Sequence, residues 1–393
     1  MLLAITWLVA LNLRTGFIGL GPVLPQLRED LLLSGTMAAL LVSIPTLMMG
    51  VVAVPTGELA DRWGPTRTIL LGLSAVAVGG ALRAFAPGWP ALLGATVLFG
   101  IGIGTTQPSL PRVARGLYPE RIGFATGVYA SGLITGSILA ASLTLPVENR
   151  VAPDAGWRGP LLFWGVLALA TVVLWLIAVR PWSWSGKTMD DARLVVTDLP
   201  HWRPSRDRRV WLVAALFGAQ GLGYYLLVAW LPAMYEALGV PPGRTSALYT
   251  LFNAATLPAI LLFPIVSDRV RSRRWPNVLA SVLFIIGSIG LVVAPLGAGV
   301  EWLWPFLCAT AVSGLFALTL VMPADVAPIG RVGAAAGMTL GIGYFASAMG
   351  PLIAGTVFDI TGSFRVALMM LPLLGVVMLV LSIACPDKFR DTA

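Results

Sequence analysis

The sequence predicts an all-α polytopic membrane protein with twelve transmembrane helices in two pseudo-symmetric six-helix bundles. Three observations carry that expectation. Hydrophobic residues make up 57% of the 393 residues and charged residues only 11%, with a mean hydropathy of +0.86, whereas a soluble domain is about a quarter charged. Apolar runs long enough to cross a bilayer core of about 30 Å as helices recur along the whole chain. The longest polar interval, 181–208, follows the sixth run and divides the chain six plus six.

Apolar runs read against charged and Pro/Gly breaks place the spans near 2–25, 36–57, 66–86, 91–111, 122–146, 160–180, 209–233, 245–266, 276–297, 303–323, 332–356 and 365–385. The expected domains are a bundle over 1–180, a central loop over 181–208 and a second bundle over 209–393. The first run, "MLLAITWLVALNLR", lacks the basic n-region and small-residue cleavage site of a signal peptide, so it reads as a retained span. Arg14 falls near the middle of that span. Arg83 falls near "APGWP" at the end of the third, where snorkelling to the interface is the expected behaviour. The fourth ends on Gln107 and Pro108, and the proline frees a carbonyl that needs a polar partner. "GLITGSILAAS" in the fifth is explained by close packing against a facing helix. Trp230 and Tyr235, toward the end of the seventh, read as an interfacial belt. Cys308 and Cys385 fall within spans, so no disulfide framework is expected.

The net charge of +8 and pI near 10.1 reflect basic residues concentrated in alternate loops, not a nucleic-acid-binding surface. Arg62, Arg67, Arg112, Arg115, Arg121, Arg180, Lys187, Arg193, Arg203, Arg206, Arg208, Arg209, Arg269, Arg271, Arg273, Arg274, Arg331, Lys388 and Arg390 lie on one side, with Arg28, Arg150, Arg158, Arg244 and Arg365 on the other. The positive-inside rule then puts both termini and the central loop in the cytoplasm of a multi-pass protein of the cytoplasmic membrane. No nucleic-acid partner is expected.

The chain also repeats itself. "GELADRWGPTRT" at 57–68 follows the second span and "PIVSDRVRSRRW" at 264–275 follows the eighth, each with an Asp-Arg pair and further basic residues. Parallel repeats of this kind put a transported solute near the midplane, where the two halves meet. "GELADRWGPTRT" resembles the loop signature of the major facilitator superfamily, G-x-L-a-D-r-x-G-r-k: Gly57, Leu59, Asp61, Arg62, Gly64 and Arg67 match, while Pro65 and Thr66 depart. The resemblance implies a conformational latch made of Gly57, Asp61, Arg62, Gly64 and Arg67, with Asp268 and Arg269 as the second copy. "NLRTGFIGLGPVLPQL" at 12–27, "GIGTTQPSLPRVARGLYPERIGFATGVYASGL" at 102–133 and "GAQGLGYYLLVAWLPAMYEALG" at 218–239 are similar to the cyanate permease and 2-nitroimidazole exporter group of that superfamily. Thr105, Thr106 and Gln107 stand where the group often has Asn.

A charged side chain at a span centre costs about 2.5–3.5 kcal/mol, so Arg14 is expected to face a hydrated cavity and hold a small anion through its planar donors. Bonding to helix carbonyls is the alternative. Asn12, Thr15, Gln107, Tyr129, Gln220, Tyr224, Tyr225, Asn253 and Tyr344 are the further candidate solute contacts, with Gln220 and Tyr224 on one helix face. No phosphate-cradling Gly-x-x-x-x-Gly-Lys motif occurs, His201 lies in the central loop, and Glu58, Asp61, Glu148, Glu301, Asp325 and Asp359 lie near span ends. These absences argue against an ATP-driven pump and against an enzyme, and no cofactor or metal is expected. The expectation is a secondary active or facilitative transporter of a small anionic or polarised organic solute by rocker-switch alternating access, working as a monomer in the lipid bilayer. A multidrug-type exporter of neutral heteroaromatic compounds, using Tyr224 and Tyr225, is the alternative.

Overall fold

In a computed structural model, the described residues are 2–52, 55–56, 59–60, 63–110, 113, 122–151, 153–179, 203–293, 299–328 and 332–387, and no strand occurs among them. Their helices are α1 (Leu2–Ile18), α2 (Leu20–Asp30), α3 (Gly35–Val51), α4 (Pro65–Ala84), α5 (Trp89–Thr106), α6 (Ile122–Arg150), α7 (Arg158–Val179), α8 (Arg208–Ala237), α9 (Pro242–Val270), α10 (Arg274–Val293), α11 (Leu303–Val326), α12 (Val332–Thr361), α13 (Phe364–Leu368) and α14 (Met370–Ala384). Eleven helical segments among the described residues are long and apolar enough to cross a membrane, and α3 adds a shorter apolar helix, so each of the twelve expected spans has its counterpart.

Local chemistry sets several boundaries. The Ser34 side chain accepts from Met37 N–H at 3.1 Å, giving one orphan donor at the start of α3 a partner. Pro65 opens α4 at a position that needs no N–H. Gly64 before it sits at φ +83°, a conformation glycine adopts without strain. The first span runs over Leu2–Asp30, with the α1–α2 boundary at Gly19, whose N–H still donates to Thr15 O four residues back at 2.9 Å.

Contacts divide the chain into two compact units, Met1–Trp184 with Val228–Ala254, and Ser185–Leu227 with Ala255–Ala393. The division passes through α8 and α9, so the joined ends of those helices belong to the first unit. Trp230 and Tyr235 lie on that stretch and are only 3% and 2% exposed. They are core side chains of the first unit, which corrects their expected place in an interfacial belt.

In the first unit α4 packs on α5 and α7, and α1 on α6 and α7. Gly132 and Gly136 of α6 lie against the Trp7 and Leu11 carbonyls of α1, where a Cβ would collide. The small residues of the fifth span therefore serve close helix contact. Asp30 at the end of α2 accepts from Trp157 Nε1 at 2.9 Å and lies 3.5 Å from Arg158, tying α2 to the start of α7. In the second unit α10 packs on α11 and α14, with Ser281 and Ser382 hydroxyls 3.0 Å apart in the contact between α10 and α14. Both cysteines are free and buried.

Candidate functional site

The candidate residues of the first unit begin on α1. Asn12 is 1% exposed and donates Nδ2 to Leu8 O at 2.8 Å and to Thr171 Oγ1 of α7 at 2.9 Å. Buried Thr15 directs its hydroxyl at Asn12 O, 3.4 Å away. These three bonds fix the turn of α1 that carries Arg14. Arg14 is half-buried, near the middle of the Leu2–Asp30 span.

The third-span cation behaves otherwise than expected. Arg83 is 1% exposed, so it does not snorkel. Its Nη2 donates to Gly16 O at 2.9 Å, and its guanidinium carbon lies 3.9 Å from the centroid of the Phe99 ring. The reason is directional. Helical side chains lean toward the helix N-terminus, and Arg83 is the penultimate residue of α4, so its stem runs back along the span instead of out past its end. Glycine at position 16 leaves the room, because a Cβ there would lie 3.0 Å from the Phe99 ring and 3.1 Å from the guanidinium.

Prolines create the other polar demands in this unit, since each deletes the N–H that would serve the carbonyl four residues back. Pro108 releases Gly104 O, which takes Thr56 Oγ1 at 3.5 Å. Gln107 is half-buried, and its Oε1 is buried without a hydrogen-bond donor among the described residues. Pro22 releases Ile18 O, and Pro232 releases Val228 O. One hydroxyl, that of Tyr249 on α9, stands 3.3 Å from the first and 3.0 Å from the second. Gly21 allows this approach, because a Cβ there would lie 2.8 Å from Val228 O and 2.9 Å from the Tyr249 hydroxyl. Tyr249 is 0% exposed, and Asn253, also 0% exposed, donates Nδ2 to its carbonyl at 2.9 Å. Tyr129 on α6 is half-buried.

In the second unit Gln220 is buried on α8, and Tyr224, half-buried, meets Tyr225 edge to face with centroids 5.1 Å apart. Tyr344 of α12 packs edge to face on Phe217 of α8 at 5.5 Å. The candidate residues therefore fall into two sets: Asn12, Arg14, Thr15, Gln107, Tyr129 and Asn253 in the first unit, and Gln220, Tyr224, Tyr225 and Tyr344 in the second. Among the described residues no group of three or more His, Cys, Asp or Glu is placed to hold a metal ion.

Of the expected latch, Gly57, Asp61 and Arg62 lie outside the described residues, Gly64 turns the chain into α4, and Arg67 is exposed. In the second copy Arg269 is exposed, and the partner of Asp268 is Arg273, at 2.7 Å. Arg273 also bonds Asp325 of α11 at 3.0 Å and Ser267 Oγ at 2.9 Å, while its backbone N–H donates to Asp387 at 2.9 Å. Asp387 also accepts a short hydrogen bond from the Ser272 hydroxyl. Burial by itself would lower the Arg273 guanidinium, but the hydrogen bonds and charges of Asp325 and Asp268 outweigh it and raise it above its ordinary value. Arg273, Asp325 and Asp387 escaped sequence reasoning because they meet only in the fold.

Among the described residues, helices of membrane length carrying interior arginines and proline breaks define a polytopic membrane protein. The chain belongs to the Major Facilitator Superfamily, whose family model matches residues 6–351. It is 29% identical over 367 residues to a cyanate transport protein of Escherichia coli, covering 92% of this chain and 91% of that one. It is 26% identical over 386 residues to a 2-nitroimidazole transporter of the same organism, covering 98% and 94%. A solved bacterial homologue of the human lysosomal transporter Spinster superposes with a TM-score of 0.79 at 16% identity, covering 99% of this chain and 95% of that one, which establishes the shared fold. The protein is thus a membrane transporter of small solutes and not an enzyme.

Proposed function

We propose that this protein carries a small monovalent anion, or a strongly polarised organic solute, by alternating access through the cytoplasmic membrane. The single observation behind the reading is Arg14, a half-buried cation near the middle of the first span, on a helix turn held by Asn12 and Thr15. A guanidinium at that depth is costly against lipid and useful against an oxyanion. The similarity to a cyanate transport protein supports the same solute class. Thr15, Gln107, Tyr129, Gln220, Tyr224, Tyr225, Asn253, Tyr344 and Asn12 complete the proposed solute-contacting set. Gly57, Asp61, Arg62, Gly64 and Arg67, with Asp268 and Arg269, form the proposed cytoplasmic latch. Bundles 1–180 and 209–393 are the proposed moving halves, with both termini cytoplasmic and a monomer as the working form.

The edge-to-face pair Tyr224–Tyr225 favours a second reading, export of flat neutral heteroaromatics, in line with the similarity to a 2-nitroimidazole transporter. Proteoliposome uptake of cyanate, nitrate, acetate and 2-nitroimidazole, by wild type and Arg14→Gln, separates the two. The expected result is saturable uptake of at least one anion that falls at least about a hundredfold in Arg14→Gln, as loss of a charge-assisted contact predicts, with expression and melting temperature kept. Normal anion uptake by Arg14→Gln overturns the anion site. Uptake of 2-nitroimidazole alone replaces the first reading with the second.

A further inference from the structure

Arg83 carries an inference beyond the contact residue itself, resting on the reading of Arg14 as the anion contact. Its partners among the described residues are a carbonyl and an aromatic ring, and its Nε–H is buried without a hydrogen-bond acceptor. Dipoles and quadrupoles attract a cation yet carry no net charge, so a full positive charge stays inside the first unit. An uncompensated buried charge is among the most costly groups a span can hold. It is less costly when a mobile counter-charge enters beside it.

The acceptor of Arg83, Gly16, lies two residues beyond Arg14 on the same turn of α1. Residues two apart on a helix point to nearly opposite faces, and Arg83 lies where a Gly16 Cβ would point, so its charge acts across α1 on the Arg14 side at a range on the order of 15 Å. At an effective dielectric near 20, a unit charge at that range changes the affinity of a monovalent anion by about sixfold. It leaves a neutral solute almost untouched.

We propose that Arg83 is a specificity-determining residue, sealed from solute by Phe99 and Gly16, whose fixed field makes the Arg14 site favour anions over neutral solutes. Arg14 makes the contact; Arg83 supplies the background potential and pins the α1 turn. The two roles separate experimentally, because a field acts on anion KM whereas a packing role acts on protein yield and kcat.

The test measures KM and kcat in proteoliposomes for whichever of cyanate, nitrate or acetate the wild type takes up, with wild type, Arg83→Gln, Arg83→Lys and Arg14→Gln, each checked by melting temperature. Arg83→Gln keeps a polar amide and removes the charge; Arg83→Lys keeps the charge and loses the planar stack on Phe99. The expected result is a KM raised about sixfold in Arg83→Gln with kcat within about twofold, and a KM within about twofold of wild type in Arg83→Lys. An unchanged KM in folded Arg83→Gln, or a KM that stays raised in folded Arg83→Lys, overturns the proposal. Should Arg83→Gln fail to fold, Arg83→Lys decides alone, since loss of anion affinity with the charge retained contradicts a field. Loss of uptake in Arg14→Gln beside an unchanged Arg83→Gln leaves the anion site standing and removes only the field. A wild type that takes up none of the three anions overturns both.

Discussion

Arg83 and Arg273 are guanidiniums drawn into the protein, one in each unit, and their surroundings are opposite in kind. Arg273 lies among Asp268, Asp325 and the Ser267 hydroxyl, beside Asp387, so its charge is cancelled where it stands. Arg83 has a backbone oxygen and a phenyl face, so its charge is held but not cancelled. Burial alone therefore does not distinguish a structural arginine from one that shapes a site; the net charge of its neighbours does. The Arg273 network joins α9, α11, the start of α10 and the segment after α14, which suits a residue whose work is to hold helices together.

The sharpest way to break this comparison is to remove each guanidinium in turn. Arg273→Ala removes the charge-assisted pair from Asp325, whose side chain is 8% exposed. The expected loss is about 3 kcal/mol or more, read as a lower melting temperature in detergent. Arg83→Met leaves no carboxylate behind, so its melting temperature is expected within about 1 kcal/mol of wild type or higher. Equal losses in the two variants would erase the distinction between them.

Smaller effects sharpen the description of the first unit. Tyr249→Phe removes the one hydroxyl near two proline-released carbonyls, with an expected loss of about 1–2 kcal/mol and faster hydrogen exchange around α2 and the end of α8. Gly21→Ala pushes a methyl group against Val228 O and the same hydroxyl, at a similar cost of about 1–3 kcal/mol. The smallest change is expected from Asp268→Asn, because that carboxylate is 65% exposed and screened by solvent; its melting temperature should match wild type within error. A large drop there would show that the exposed arm of the Arg273 network matters as much as the buried one.

The spans were legible in the sequence because hydropathy over some twenty residues is a local property that lipid enforces. The small residues of the fifth span were legible for a similar reason, since close helix contact asks for little else. Arg83 stands near a span end in the sequence, but the direction in which a helix points its side chains turns it back into the protein, to Gly16 O. Tyr249 was invisible although Pro22 and Pro232 were plain: each proline announces an unmet carbonyl, but only the fold shows which hydroxyl meets it. The Asp268–Arg269 pair drew attention by adjacency, whereas the geometry across the α9–α10 turn pairs Asp268 with Arg273. Of the expected solute-contacting residues, Asn12 and Asn253 turn amide groups toward helix partners, which residue type and spacing leave open.

Calorimetric titration of cyanate, nitrate and acetate into the purified protein tests the central claim most directly, because it reads binding without the transport cycle. The account predicts saturable binding of at least one of these anions by the wild type and none by an equally stable Arg14→Gln. Binding of the same anion to Arg14→Gln with wild-type affinity would contradict it.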